Sequence, residues 1–233
     1  MTNLFDENFW DERYGGSTTV WSGQANPQLV AELSDPDAGA ITAPTSGPNN
    51  ERPGDRRGAS NIPRTALDVG CGEGADAVWL ARQGWDVTAV DISRVALQRA
   101  KEHAAALDLA GSISWEHQNL LTWTLPVSSF GLVSAQFMHL PSDEREPLYA
   151  RLATAVTPGG TLLIVGHSAS DIHAGARRPD APDLYFSTEE LASSLDPQQW
   201  QVLVSESRPR SAQNSEGQPI TIHDEVLRAI RLA

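Results

Sequence analysis

The stretch Leu67-Asp68-Val69-Gly70-Cys71-Gly72-Glu73-Gly74-Ala75 constrains this chain more than any other. An apolar run passes straight into glycines whose spacing lets main chain approach a ligand closely. A helical pattern with apolar Ala77, Val78, Leu80 and Ala81 follows at once. Strand, glycine turn and helix predict the first unit of a nucleotide-binding α/β fold. The next unit ends in Val87-Thr88-Ala89-Val90-Asp91. Asp91 stands about twenty residues beyond the first glycine, where a carboxylate can take both hydroxyls of a ribose. Together these predict an adenosine-containing ligand.

Gly70, Gly72 and Ala75 also satisfy the spacing of a dinucleotide site, so charge has to decide. A pyrophosphate needs positive surroundings at the helix N-terminus. This loop carries Asp68, Glu73 and Asp76, with no Lys or Arg between Thr65 and Ala81. Such a loop repels phosphate. It suits a ligand with an ammonium and a sulfonium and no phosphate, which describes S-adenosylmethionine. Glu73 and Asp76 also favour the positive end of the helix dipole. Asp68, inside the strand run, has no such explanation.

From Thr65 onward strands alternate with helices. Strands are predicted at Thr65–Val69, Asp86–Val90, Ile113–His117, Gly131–Ala135 and Gly160–Val165. Helical patterns lie at Ala75–Gln83, Arg94–Leu107 and Asp143–Val156, the last with Ser142 as N-cap. Ser187-Thr188-Glu189-Glu190 is a capping box. Trp200–Ser207 and Gln218–Leu232 are two strand-like runs joined by a polar turn, Ser211 to Gly217. The alternation predicts a three-layer, doubly wound α/β fold: a mostly parallel seven-stranded sheet closed by an antiparallel C-terminal hairpin. Upstream, Phe5 to Tyr14 reads as a short helix, and Asn26-Pro27 opens another that runs to Leu33. Residues 1–33 thus read as a helical N-terminal segment and 65–233 as the core. The Pro/Gly-rich 34–64 between them lacks apolar periodicity and reads as a flexible insertion in a single domain.

The chain resembles the class I S-adenosylmethionine-dependent methyltransferases. Asp68-Val69-Gly70-Cys71-Gly72-Glu73-Gly74 looks like their first motif, Val90-Asp91 like their ribose-binding acid, and Pro158-Gly159-Gly160 with Thr161–Val165 like their turn into the fifth strand. Phe9-Trp10-Asp11-Glu12-Arg13-Tyr14, Trp21 and Asn26-Pro27 are similar to the lid of small-molecule members such as the thiopurine and tellurite-resistance methyltransferases. The resemblance implies a cytoplasmic enzyme with S-adenosylmethionine as cofactor. It also implies a small-molecule acceptor, with oxygen, nitrogen, sulfur and metalloid all open as the acceptor atom. Two departures stand out: Asn119 and Gly131 occupy positions where relatives often carry an acid.

Composition agrees. The 233 residues suffice for one buried core, and no apolar run is long enough to span a bilayer. Met1-Thr2-Asn3-Leu4 shows no basic segment followed by an apolar one, so no signal peptide is expected. A net charge of −13 argues against nucleic-acid partners, and Arg177-Arg178 and Arg208-Pro209-Arg210 are too short for a basic patch. The lone Cys71 excludes an internal disulfide, and no His or Cys spacing suggests a metal site.

In open α/β sheets ligands sit at the carboxyl ends of the strands. Expected cofactor contacts are therefore Asp68, Gly70, Cys71, Gly72, Asp76, Asp91, Ile92, Asn119, Leu120 and Gln136, joined by Tyr14 and Trp21 from the lid. Asp91 should hold the ribose, Ile92 one adenine face, and Asn119 the adenine amino group. Cys71 reads as a space-filler between glycines. Methyl transfer from a sulfonium needs a base only for poorly acidic acceptors, and His139 and His167 at strand ends are the candidates. Two other readings fit the glycines. One is a nicotinamide-dependent oxidoreductase, which lacks a Tyr-Lys pair here; the other is a cofactor-binding protein without catalysis. Loop closure entropy changes slowly with length. Replacing Asp35–Ser60 by a short Gly/Ser linker should therefore keep urea-melt stability within about 1 kcal/mol of the parent.

Overall fold

The computed structural model describes residues 5–16, 23–34, 62–176 and 178–233. The expected flexible insertion falls mostly, and Trp21 wholly, outside the described residues. Two N-terminal helices, α1 (Glu7–Gly15) and α2 (Pro27–Ser34), precede an alternating core. The core runs β1 (Thr65–Val69), α3 (Ala75–Arg82), β2 (Asp86–Asp91), α4 (Arg94–Ala104), β3 (Ser112–His117), β4 (Phe130–Gln136), α5 (Ser142–Ala155) and β5 (Val156–His167). After two short 3-10 turns come α6 (Thr188–Ser194), β6 (Trp200–Gln213) and β7 (Pro219–Arg231). The seven strands lie in the order β3-β2-β1-β4-β5-β7-β6. β1 to β5 are parallel, β7 runs antiparallel to β5, and β6 antiparallel to β7.

Period-two alternation along the strands feeds two cores. Ala66, Val87, Leu132, Leu163 and Val226 pack with Leu29 of α2, Ala77 and Leu80 of α3 and Leu97 of α4 on one face. Leu67, Val69, Val133, Ile164 and Leu227 pack with Leu148 and Leu152 of α5 and Leu191 of α6 on the other. This is the three-layer arrangement expected of alternating units.

Four local expectations need correction. Pro141, not Ser142, stands at the cap position of α5, and the Ser142 N–H donates to Asp183 (3.1 Å). α4 stops at Ala104, short of Leu107. β5 begins at Val156 and reaches the predicted start only after an irregularity opposite β4. The hairpin turn is tighter than Ser211 to Gly217: Ser211 and Ala212 still pair with Thr221 and Ile220, and the turn is Asn214–Gln218. Asn214 Oδ1 takes the N–H groups of Glu216 and Gln218 (3.0 and 2.9 Å). An exposed hairpin strand has polar side chains, which in sequence look like loop.

The longer hairpin outreaches its neighbour in the sheet. β5 ends where His167 faces Asp224, while β6 and β7 stay paired from Pro209↔His223 to Gln213↔Pro219. The overhang rises past the carboxyl ends of the parallel strands as a wall. Glu32 of α2, itself buried, pins the hairpin below this wall through Arg208 (2.6 Å) and Arg228 (3.1 Å).

Gly131 also has a local reason. A Cβ there would strike the Pro63 carbonyl oxygen, because the segment entering β1 crosses directly over it. Gly131→Asp, although it supplies the acid common in relatives, should cost about 1–3 kcal/mol in a urea melt through overpacking.

Candidate active site

Three glycines in left-handed conformation shape the turn after β1: Gly70 (φ 69°), Gly72 (φ 53°) and Gly74 (φ 83°). Any other residue at Gly70 would also place a Cβ 2.6 Å from Met138 Sδ. The loop is tied down from β2. The N–H groups of Gly70 and Cys71 both reach the Val90 carbonyl (2.9 Å each). The Gly72 N–H donates to Asp91 Oδ2 and the Ser93 N–H to Asp91 Oδ1, both at 2.8 Å. A carboxylate oxygen accepts more than one hydrogen bond, so Asp91 keeps acceptor capacity on each oxygen.

Beside this loop lies a cavity of about 730 Å³ at the carboxyl ends of the strands. Gly70, Cys71, Gly72, Asp76, Asp91, Ile92, Asn119, Leu120, Gln136, Tyr14, His139 and His167 all line it, as expected from the chain order. Asp68 does not. It is buried behind the loop, where the Ala77 N–H donates to it, so its part is to hold the start of α3. Two further expectations change. Asn119 Oδ1 accepts the Leu121 N–H (2.9 Å), so its amide oxygen is engaged in a turn. Gln136 spends its amide on Asn26 Nδ2 (2.8 Å) and Ser134 Oγ (2.7 Å).

The N-terminal helices are tied to this floor. Asn26 caps α2 with its oxygen (Gln28 N–H, 2.9 Å), and its own N–H donates to Asp76 Oδ1 (2.6 Å). α1 crosses the amino end of α4: Asp11 takes Ser93 Oγ (2.5 Å) and the Val95 N–H (3.3 Å), a favourable place for an acid. Glu7 reaches Arg94 (3.2 Å) and His117 (3.1 Å). Tyr14, buried, stacks obliquely on Trp10 with ring centroids 6.1 Å apart.

The electrostatics at the glycine end are acidic, though not in the pattern expected. Glu73 is paired with Arg99 of α4 (3.0 Å), a cation that no local reading of the loop reveals. The remaining carboxylates are Asp68, Asp76 and Asp91. Burial raises the pKa of all three, that of Asp76 to about 6 and that of Asp68 well above the usual range. Asp76 and Asp91 push Asp68 up further by repulsion. Among the described residues, main-chain N–H groups alone act to lower any of them; no cation does. Burial raises the Cys71 thiol as well, leaving it an inert filler.

The far end differs. His139 and His167 lie side by side, ring centroids 5.2 Å apart, and Phe137 stacks on His167 at 4.2 Å. Phe137 holds a left-handed φ of 54°, fixed by that stack and by its N–H on the Val165 carbonyl (2.7 Å). Burial and nearby guanidinium groups lower the pKa of His139 to about 4 and of His167 to about 2. Both are neutral at physiological pH. Arg178 Nη2 sits 3.1 Å from His167 Nδ1; guanidinium can only donate, so the imidazole proton is on Nε2. His167 is therefore a hydrogen-bond donor to the cavity, not the base expected, and His139 is a weak base. Arg178 and Arg210 line the cavity too. In sequence they are isolated arginines in polar segments, with nothing to mark them.

Similarity to known proteins agrees with this geometry. Residues 66–160 match the family described as methyltransferase domain. An uncharacterized methyltransferase of Mycobacterium tuberculosis is 44% identical over 100 residues, 42% of this chain and 48% of that protein. The 2-heptyl-1-hydroxyquinolin-4(1H)-one methyltransferase of Mycobacteroides abscessus is 30% identical over 101 residues, covering 42% and 44%. The ribosomal RNA small subunit methyltransferase C of Alcanivorax borkumensis is 45% identical over 113 residues, covering 45% and 33%. The chain thus spans about half or less of the length of these relatives. Two solved structures share the fold across 97% of the chain. One, from work on conversion of a disulfide bond into a thioacetal group in echinomycin biosynthesis, has a TM-score of 0.66 at 21% identity over 92% of that chain. TehB from Haemophilus influenzae has 0.65 at 18% identity over 67% of that chain.

The acidic end predicts a pH dependence. Above about 6 Asp76 is ionised and attracts a cationic ligand. Calorimetric affinity for S-adenosylhomocysteine, which bears an ammonium, should rise with pH toward about 6 and then level off, and Asp76→Asn should flatten the curve. In the ligand-free protein the sign is opposite. The native state binds more protons than the unfolded chain between about 4 and about 6, so stability falls as pH rises through that window.

Proposed function

We propose that the protein transfers the methyl group of S-adenosylmethionine to a small-molecule acceptor. The observation that carries this reading is the glycine-lined cavity in which Asp76 and Asp91, with Asp68 buried behind the loop, are stabilised as anions by main-chain N–H groups rather than by a cation. A ligand with positive groups and no phosphate supplies the missing charge. Asp91 has acceptor capacity for the ribose hydroxyls, Ile92 an apolar side chain for an adenine face, and Asp76 a carboxylate for the ammonium. Gly70 and Gly72 let the chain lie against the amino-acid portion. When bound, the cofactor supplies an electrophilic methyl group. The protein's own part is to hold the acceptor in line, exclude water beneath α1, and orient polar groups at the far end.

The oxidoreductase reading is poorly supported. The chain has one lysine, Lys101, exposed on α4, so no lysine stands in the cavity to serve a pyrophosphate or a Tyr-Lys pair. A small acceptor is favoured over nucleic acid by the net charge of −13 and by a cavity walled by α1 and the β6–β7 overhang. The hydroxyquinolinone methyltransferase among the relatives points the same way, and the ribosomal RNA methyltransferase marks the alternative. Among the described residues no helix is long and apolar enough to cross a membrane.

Transfer of labelled methyl from S-adenosylmethionine to small aromatic acceptors, with ribosomal RNA as the rival, tests the reading. Label on small molecules alone supports it, and label on RNA alone overturns it. Asp91→Ala should weaken S-adenosylhomocysteine binding by about 1.5–3 kcal/mol, as measured by titration calorimetry on folded protein. Unchanged affinity would remove Asp91 from the site.

A further inference from the structure

Resting on the methyl-transfer reading, we propose that the acceptor is an aromatic hydroxyl or thiol that binds as its anion, with the nucleophilic atom held by His167 Nε2–H beside Arg178. Three observations meet here. First, His167 is a fixed donor. Arg178 occupies Nδ1 at 3.1 Å, Phe137 clamps the ring face at 4.2 Å, and Nε2 hydrogen-bonds to nothing among the described residues although His167 lines the cavity. Second, Arg178 is itself only partly used. Its Nε is buried without a hydrogen bond, and the nearest acid, Asp171, stands 4.0 Å away. Third, Phe137 stacks on His167, and Phe137, Met138 and Ile222 all line the cavity, apolar surface for a flat ring.

The charges facing this point favour an anion. Arg178 comes from the segment before the 3-10 turn Pro182–Leu184, Arg210 from β6, and Arg13 of α1 acts on His139. Against them stand Asp171, after β5, and Asp224 of β7, which is spent on Arg210 at 2.9 Å from each oxygen. Tyr185 faces Arg178, and His223 stands 3.8 Å from Asp171. His139, beside His167, has its pKa lowered by burial and by the guanidinium groups of Arg178 and Arg13. Neither histidine is suited to remove a proton from a poorly acidic acceptor. An anion needs no such removal. Its lone pair forms the new bond to the methyl carbon, the carbon–sulfur bond breaks with its electrons returning to the cofactor sulfur, and both charges vanish without proton transfer.

The probes are 4-nitrophenol and 4-nitrothiophenol, whose acid and anion forms absorb differently. Each is titrated with pH while bound to protein saturated with S-adenosylhomocysteine. The expected result is a bound ionisation midpoint about one pH unit lower than in free solution, a tenfold preference for the anion. Arg178→Gln should abolish the shift and Arg178→Lys should retain part of it, because the charge persists without the planar fork. His167→Phe, which removes the Nε2–H donor and the Nδ1 partner of Arg178 but keeps the guanidinium charge, should shrink it. S-adenosylhomocysteine affinity serves as the folding check for each variant. A midpoint unchanged or raised in the parent protein, or a shift that survives both Arg178→Gln and His167→Phe, overturns the proposal. So does a protein that holds S-adenosylhomocysteine but binds neither dye. A parent protein that fails to hold S-adenosylhomocysteine overturns the methyl-transfer reading instead.

Discussion

Two main-chain N–H groups converge on one carboxylate, and the site depends on it. Gly72 and Ser93 both donate to Asp91 at 2.8 Å. Through the first, the β1 glycine turn is held against the end of β2. Through the second, the start of α4 is set, and Ser93 in turn caps that helix at the Ala96 N–H (3.1 Å) and meets Asp11 of the lid. Charge-assisted bonds of this kind are stronger than neutral ones. The cost is a carboxylate buried without a cation, which burial makes harder to ionise. The arrangement is consistent with a site awaiting positive charge.

The cavity is polarised along its length. Carboxylates without cations stand around the glycine turn, while guanidinium groups and neutral imidazoles stand under the β6–β7 overhang. Asn26 bridges the two regions, holding Asp76 at one side and Gln136 at the other. A cationic donor and an anionic acceptor would each find the end that suits it, and the apolar walls between them would strengthen the attraction by excluding water. The hairpin overhang walls this far end, and the buried Glu32 cluster fixes the base of the hairpin relative to the helix that Asn26 begins.

Much of this architecture is legible in the chain. Four of the five parallel strands stand out as largely apolar runs that lead to Gly70, Asp91, Gln136 and Gly166, whereas β3 alternates polar and apolar residues. The capping box at Ser187 and Glu190 stands out because two side chains and two N–H groups satisfy each other locally. Local pattern fails where it cannot show partners. Asp68 reads as a site residue because sequence does not reveal which way a strand-end side chain leans. Glu73 reads as free charge because Arg99 lies twenty-six positions away. Gln136 and Asn119 sit where expected, but their amides are engaged in holding the chain. His167 reads as a base because nothing in the chain ties it to Arg178. The arginines of the acceptor end are the largest omission, since they converge only after the hairpin folds back over β5.

The proposed site requires that the glycine turn accept an adenosine ligand that bears an ammonium and no phosphate. A thermal-shift comparison tests it most directly. S-adenosylhomocysteine at a hundred times its dissociation constant should stabilise the fold by about 2.7 kcal/mol, and NAD and NADP at equal concentration should leave the melting temperature unchanged. A clear shift with a dinucleotide and none with S-adenosylhomocysteine would contradict the account.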